Sequence, residues 1–594
     1  MHAPRVRSRS PHISRKGSLA ASAVSAAVLC AASAARAGGF DIPDNGAQSL
    51  GRGAAFVAKA DDGTAIYYNP AGLARQRGTR LYAGGNLYLH SFEFQRSGSF
   101  PDDPNDPATP WGQRPFPLVT NAAGPFFTPF LAASTDFASL DRFTVAVGVF
   151  GPPTIGNRTF PLAIRNAPAA SRYDFIQSRS TIVYPTASAA YRVTPWLDLG
   201  LSAHLVLGNF DQTSVSYADA GQCMNVEYQP CDSRNTLVAT GTSFAGTIGA
   251  LLRPSPDLAF GISVRTPISI AATGVLTPTA PKTLMVDLAP GAAVLTTRLP
   301  LIVRGGARYI KMDGDFEVYD LELDGTYEGW GAAQGDGPRL QIPQLGSFKN
   351  IDTLIVHGYT DTFSVRLGGA YNFDAIDGIF TVRAGGFFDS SATPFQYTRL
   401  DFDTLTKIAG TFGLGYRHGA IGIDVGYAAV ASVPRLVGTD QGNVRPINGA
   451  QGGKPVDNNG DLLPAVNEGA YKGFTHIFSV GLTVTFDELF GAPRPFHYGN
   501  TYEHGYVPSG EEAAKEKDRD KDRDKDKDRD RDKDRDKDKD RDKDDEKPKK
   551  ADKPADTKPP KKDLEKPPEE TKKPEKKPDK PLEKKKEWWE DLEN

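Results

Sequence analysis

The sequence predicts an all-β fold: a 14-stranded antiparallel transmembrane β-barrel, plugged by an N-terminal segment and followed by a disordered, charged tail. Three observations predict it. Long segments alternate strictly between apolar and small or polar residues. The connections between them are alternately short and long. The charges are concentrated at one end of the chain: 511–594 holds 31 Lys+Arg and 32 Asp+Glu in 84 residues, whereas the other 510 hold 39 and 41. The net charge of −3 therefore averages a weakly charged body with a polyampholyte tail, and its lack of positive excess argues against nucleic-acid binding.

The N-terminus reads as a secretory signal peptide over 1–37. Arg5, Arg7, Arg9, Arg15 and Lys16 precede the uncharged stretch from Leu19 to Ala34, and Ala35-Arg36-Ala37 offers the cleavage site. Cys30 follows the bulky Leu29, where a lipoprotein signal wants a small residue. Beyond residue 37 no apolar run is long enough for a transmembrane helix.

The body, 79–486, is written in strands. Ile421, Ile423, Val425, Tyr427 and Ala429 share one face, opposite Gly422, Asp424, Gly426 and Ala428. Phe143 to Val149 and Phe478 to Phe486 alternate likewise, and Leu197 to Leu207 places Asp198, Ser202 and His204 on its polar side. A soluble sandwich buries such a face on a second sheet; a barrel turns it to lipid. The strands are long for a sandwich, and Tyr88, Phe92, Phe150, Tyr309, Phe388 and Tyr427 near their ends suit aromatic girdles. The short turns at 193–195, 254–256, 311–314 and 418–419 between long loops match the outer-membrane pattern. The expected strands lie near 80–94, 126–134, 142–150, 180–192, 197–214, 239–252, 257–270, 297–310, 315–326, 359–373, 378–389, 407–418, 420–432 and 473–486. Only a closed ring pairs every backbone group in lipid. Residues 38–78 alternate poorly and are too apolar for a free tail, which places them inside the barrel.

That plug carries the most specific text: Ser49-Leu50-Gly51-Arg52-Gly53, then Ala60-Asp61-Asp62-Gly63, then Asn69-Pro70-Ala71-Gly72-Leu73. It resembles the N-terminal hatch of the FadL family, outer-membrane transporters of long-chain fatty acids and other hydrophobic compounds. Tyr184-Pro185, Val382 to Ser390 and Asn467 to Tyr471 extend the likeness over 38–486. The resemblance implies a monomeric barrel in the outer membrane of a Gram-negative bacterium. It also implies passive uptake of a hydrophobic or fatty-acid ligand, with sideways exit into the lipid and no cofactor. It assigns gating to Asn69, Pro70 and Ala71, against the plainer reading of a turn that wedges the plug. It places Phe40 in a ligand pocket, against that of a merely buried aromatic.

Alternation points Arg265, Arg304, Arg308, Arg366 and Arg383 into the lumen. Of these, Arg308, Arg366 and Arg383 are the candidate anchors for a ligand carboxylate; the alternative is that they pair with hatch acids such as Asp61 and Asp62. Cys223 and Cys231 share a long loop of an exported protein and are expected to form a disulfide. The nine His lack metal-ligand spacing and no catalytic cluster stands in a recognisable context, so an enzyme is not expected.

After Phe486 comes a linker, 487–510, then the tail, 511–594, expected in the periplasm. Lys/Arg–Asp alternation sets like charges at i,i+4, which opposes a helix, and there is almost nothing apolar to bury. The tail is a solvated spacer, or it touches peptidoglycan or a periplasmic protein, with Trp588-Trp589 as the docking point. A structural barrel tethered by this tail is the alternative to a transporter.

Overall fold

A computed structural model describes residues 45–101, 111–137, 140–151, 157–218, 226–280, 288–346 and 348–486. The expected signal peptide, Phe40, Cys223 and the charged tail lie outside the described residues. Fourteen strands follow one another around the barrel wall. They are β1 (Arg80–Arg96), β2 (Phe126–Thr135), β3 (Phe143–Phe150), β4 (Thr181–Thr194), β5 (Leu197–Tyr217), β6 (Asp232–Ser255), β7 (Leu258–Arg265 and Ile268–Thr279), β8 (Gly291–Leu299 and Ile302–Asp313), β9 (Phe316–Glu328), β10 (Thr362–Ala375), β11 (Gly378–Asp389), β12 (Lys407–His418), β13 (Ile421–Val437) and β14 (Gly469–Thr485). Every neighbouring pair is antiparallel, and β14 pairs with β1 from Arg80↔Thr485 to Arg96↔Gly469, which closes the ring. Closure removes the unpaired edge that lipid would not tolerate.

The outward face is apolar because its solvent is hydrocarbon. Val147, Ile248, Leu367 and Val480 all project from the wall, while Asp198, Ser202 and His204 face in and are buried. Phe373, Phe380 and Tyr416 form a chain of ring contacts at 5.7 and 5.8 Å near the short-turn rim, where an interfacial girdle belongs. Tyr309 and Phe388 also face out, but Tyr88, Phe92 and Phe150 are buried inside. Tyr88 shares its parity with the inward Tyr82 and Asn86, so these rings line the interior and belong to no girdle.

Several strands run further into the loops than expected. β6 begins at Asp232, β8 at Gly291 and β14 at Gly469, and β7 continues to Thr279. Their outward residues there include Arg234, Thr277 and Thr279, so the apolar signal ends with the lipid while the hydrogen-bond ladder continues. β7 and β8 break opposite one another, at Thr266-Pro267 and Pro300-Leu301, between the pairs Arg265↔Ile302 and Ile268↔Leu299. Proline lacks the ladder's N–H donor.

The long loops have their own cores. One joins Phe92, Phe94, Val119, Phe160, Leu400 and Tyr471; another packs Tyr173, Val226 and Val466 around Cys231. Arg96 and Arg172 both bond Glu227, at 2.6 and 2.8 Å, and tie these loops together. Cys231 is disulfide-bonded. A hairpin of Arg339–Leu345 and Phe348–Leu354 extends the wall above β8.

Candidate functional site

The lumen is filled at mid-height by residues 45–76. They form two short helices, α1 (Ala47–Gly51) and α2 (Ala65–Tyr68), and a 3₁₀ helix over Pro70–Arg75. The wall makes room by omitting side chains. A Cβ at Gly200 of β5, Gly249 of β6, Gly261 of β7, Gly368 of β10, Gly413 of β12 or Gly426 of β13 would lie between 1.8 and 2.9 Å from plug atoms, nearly all of them backbone. Glycine permits such close backbone approach.

The Asn69-Pro70-Ala71 motif sits in this seat. Asn69 caps the 3₁₀ helix by accepting from the Ala71 N–H at 3.2 Å, with Pro70 at the first helical position. Its amide donates to Val57 O at 2.9 Å inside the plug and to Ala250 O of β6 at 3.1 Å. The motif therefore joins two stretches of the plug and ties both to the wall. The next turn is held by Arg75, 2.6 Å from Asp198 of β5, and by Arg192 of β4, which donates to Ala74 O.

On the far wall, β9 presents acids inward. Arg52 of the plug bonds Asp320 at 2.6 Å and Glu322 at 3.2 Å. Arg308 of β8 bonds Asp320 and Glu317 at 2.6 and 2.5 Å. The plug's backbone joins in: Phe56 and Val57 donate to Asp324, Ala58 and Lys59 to Glu322, at 2.7–3.3 Å. At the plug's lower corner, Asp61 and Asp62 titrate apart. Burial would raise Asp61, but Lys59 at 2.8 Å, Arg308 and Arg52 outweigh it and hold it at about 2. Burial dominates at Asp62 and lifts it to about 6, against its bonds from Thr64.

Above the plug the lumen changes character. Phe210, Leu237, Ile270, Leu276, Leu295 and Trp330 are buried on the inner face of β5 to β9 and the loop that follows. They belong to one apolar cluster with Phe56, Tyr67 and Tyr68 of the plug and with Phe130 and Phe150 of β2 and β3. At its upper end opens a cavity of about 390 Å³, walled by Phe210, Leu276, Leu340 and Ile342 and rimmed by Arg399, Asp401 and Arg445. A larger cleft of about 720 Å³ between loops is lined by Arg96, Glu227, Asp457 and Glu468; its polar walls do not suit a ligand that must be desolvated.

A plugged fourteen-stranded barrel with a greasy upper lumen suits a carrier of hydrophobic molecules. The sequence profile of the family described as outer membrane protein transport protein (OMPP1/FadL/TodX) matches residues 28–454. The chain belongs to this family. It is an outer-membrane channel for hydrophobic compounds in a Gram-negative bacterium, and not an enzyme. No curated protein matches the sequence. Among solved structures, a FadL homologue from Pseudomonas aeruginosa superimposes with a TM-score of 0.60 at 15% identity, covering 76% of this chain and 100% of that one. The toluene transporter TbuX of Ralstonia pickettii gives 0.52 at 16% identity, over 75% and 100% of the two chains. The toluene transporter TodX of Pseudomonas putida gives 0.53 at 14%, over 75% and 99%. At these identities the likeness shows the fold alone.

Within this FadL/TodX barrel the three arginines singled out from the sequence all face in, and each meets a carboxylate. Arg308 holds Glu317 and Asp320; Arg366 bonds Asp389 at 2.8 Å and lies over the Phe387 ring; Arg383 bonds Asp424 at 2.8 Å and Gln48 of the plug at 3.0 Å. Their ion-pair partners are acids of the wall, and Arg308 also acts through its charge on Asp61 of the plug. Arg304 of β8 differs: its contacts are the Tyr67 ring at 4.8 Å and Tyr67 O at 3.5 Å. Sequence reading passed over Asp320, Glu322 and Asp324, although the run Asp-Leu-Glu-Leu-Asp in β9 has the period-two alternation that marks an inward acidic face.

Proposed function

We propose that this protein passively admits long-chain fatty acids and related hydrophobic molecules through the upper lumen and releases them sideways into the outer membrane. One observation carries the reading: the apolar cluster runs without interruption from the loop cavity, past Phe210 and Ile270, to Phe130 and Phe150. Phe150 is the last residue of β3, and the β2–β3 ladder covers only Leu131–Thr135 against Val145–Val149. The wall ladder is thus short where the greasy surface reaches it. A path downward meets the plug and its ion pairs, where an alkyl chain gains nothing and buried charges would lose partners. The plug closes the pore, and Asn69-Pro70-Ala71 sets its position.

For a ligand that carries a carboxylate, Arg304 is the anchor this reading favours. It lies over Tyr67, whose ring touches Phe150 at 5.2 Å, so one ring separates it from the end of β3. Arg308, Arg366 and Arg383 already neutralise wall acids. Uptake of radiolabelled oleate and of toluene by cells expressing the full chain tests both parts. Ile270→Asp should abolish uptake of both compounds, and Arg304→Gln should reduce oleate alone by roughly tenfold. Normal uptake of both with Ile270→Asp at normal surface expression would refute the conduit. Unchanged oleate uptake with Arg304→Gln would refute the anchor only.

A further inference from the structure

We propose that Asp320, Glu322 and Asp324 of β9 are positioning residues. They hold plug segment 52–59 immobile, so that the lumen stays sealed to water-soluble solutes while hydrophobic cargo leaves through the wall. The claim about cargo rests on the transport reading above; the claim about the seal does not.

The geometry is that of a receptor for backbone. Four consecutive amides, from Phe56 to Lys59, point at two carboxylates. A buried N–H without an acceptor is costly, and the carboxylates are the acceptors this stretch is given. Strand alternation sets the three acids on one face, two residues apart. Arg52 then crosses from the plug to Asp320 and Glu322, and Arg308 braces Asp320 from β8. Gly261 of β7 and Gly368 of β10, where a Cβ would meet Val57 O and Arg52 O, leave no space into which this stretch could slip.

The opposite side is held less tightly. Toward β1, β2 and β3 the plug offers Gln76 to Ser134 at 3.0 Å and to Thr144 at 3.4 Å, and the Ala47 N–H to Tyr82 at 3.4 Å. A narrow polar seam lined by Asp62, Gln76, Tyr82 and Arg417 runs there. Those are bonds between neutral groups; on β9 Arg52 pairs with Asp320 and Glu322, and such charge-assisted bonds are roughly twice as strong.

The experiment is ion conductance of the full-length protein reconstituted in planar bilayers, with heat-modifiability as the check of barrel assembly. Glu322→Ala with Asp324→Ala should raise the leak roughly tenfold or more, the weight of a lost charge-assisted bond. Glu322→Gln with Asp324→Asn keeps an acceptor at each position but loses the charge, and should leak clearly less than the alanine pair. If the alanine pair does not assemble, Arg52→Ala breaks the same clamp from the plug side, without altering a strand, and should leak likewise. Parental conductance in the assembled alanine variant, or in Arg52→Ala, would overturn the proposal. So would an equal leak in the Gln/Asn variant. Parental protein that carries no oleate or toluene would refute the transport reading and leave the seal to be judged on conductance alone.

Discussion

The two halves of the lumen are built from the same strands and held by opposite physics. The lower half meets the plug with glycine backbone, hydrogen bonds and ion pairs; Arg52–Asp320 and Arg75–Asp198 are both buried. The upper half meets whatever enters with Phe210, Ile270, Leu276 and Leu295. Directional bonds fix one partner in one place, because a displaced buried charge keeps its desolvation cost and loses its compensation. Apolar contact is non-directional and roughly proportional to area, so a chain can slide along it with little change in free energy. A stationary plug needs the first and a moving cargo the second.

The largest expected effect comes from filling the seat. Gly200→Val would place a Cβ 2.2 Å from the Pro70–Ala71 peptide. The clash is with backbone, so the plug must shift, at a cost of several kcal/mol by analogy with overpacked cores. Limited proteolysis of purified barrels should show residues 45–76 newly cleavable while the barrel itself stays resistant; a protected plug would mean that the wall yields instead. Next is Leu276→Asp, which puts a charge into the apolar half. It should stop hydrophobic uptake with the plug still protected, separating the halves by function.

Asn69→Ala is smaller. It removes the cap and the donors to Val57 O and Ala250 O, worth about 1–3 kcal/mol together. Faster hydrogen exchange over residues 65–76 with a normal barrel is the expected result, and lower uptake would assign the motif to gating as well as seating. Smaller again is a pH effect at Asp62. Its folded pKa of about 6 exceeds the ordinary 3.8, so the seated plug holds a proton that the opened plug releases. The stabilisation is complete below pH 3.8 and declines as pH rises to about 6, by about 3 kcal/mol. Exchange protection of 60–64 should fall across that window and level off above it, and Asp62→Asn should remove the dependence. The smallest effect concerns the charged C-terminal segment. Truncation after Tyr506 removes residues too charged to enter lipid and should leave uptake and heat-modifiability unchanged; lost uptake would join the tail to transport.

The strands were legible in the sequence because a half-buried strand is written with period two, and lipid outside leaves only one reading for a long apolar face. Ile421, Ile423 and Val425 face out and Gly422, Asp424 and Gly426 face in, as alternation requires. The inward acids of β9 were equally legible in Asp320-Leu321-Glu322-Leu323-Asp324. The inward parity of Tyr88 was too, once matched to Tyr82. Alternation also gave the inward direction of Arg304, Arg308, Arg366 and Arg383, but not their partners. Arg308 meets acids of the next strand, Arg52 reaches β9 from a plug residue far away in the chain, and Arg304 meets a ring of the plug instead of a carboxylate. Period two assigns a side chain to a face and says nothing of its height in the barrel or of what stands opposite. Strand register and the path of the plug set those distances, so the division into a clamped lower lumen and an apolar upper one was decided by the tertiary structure alone.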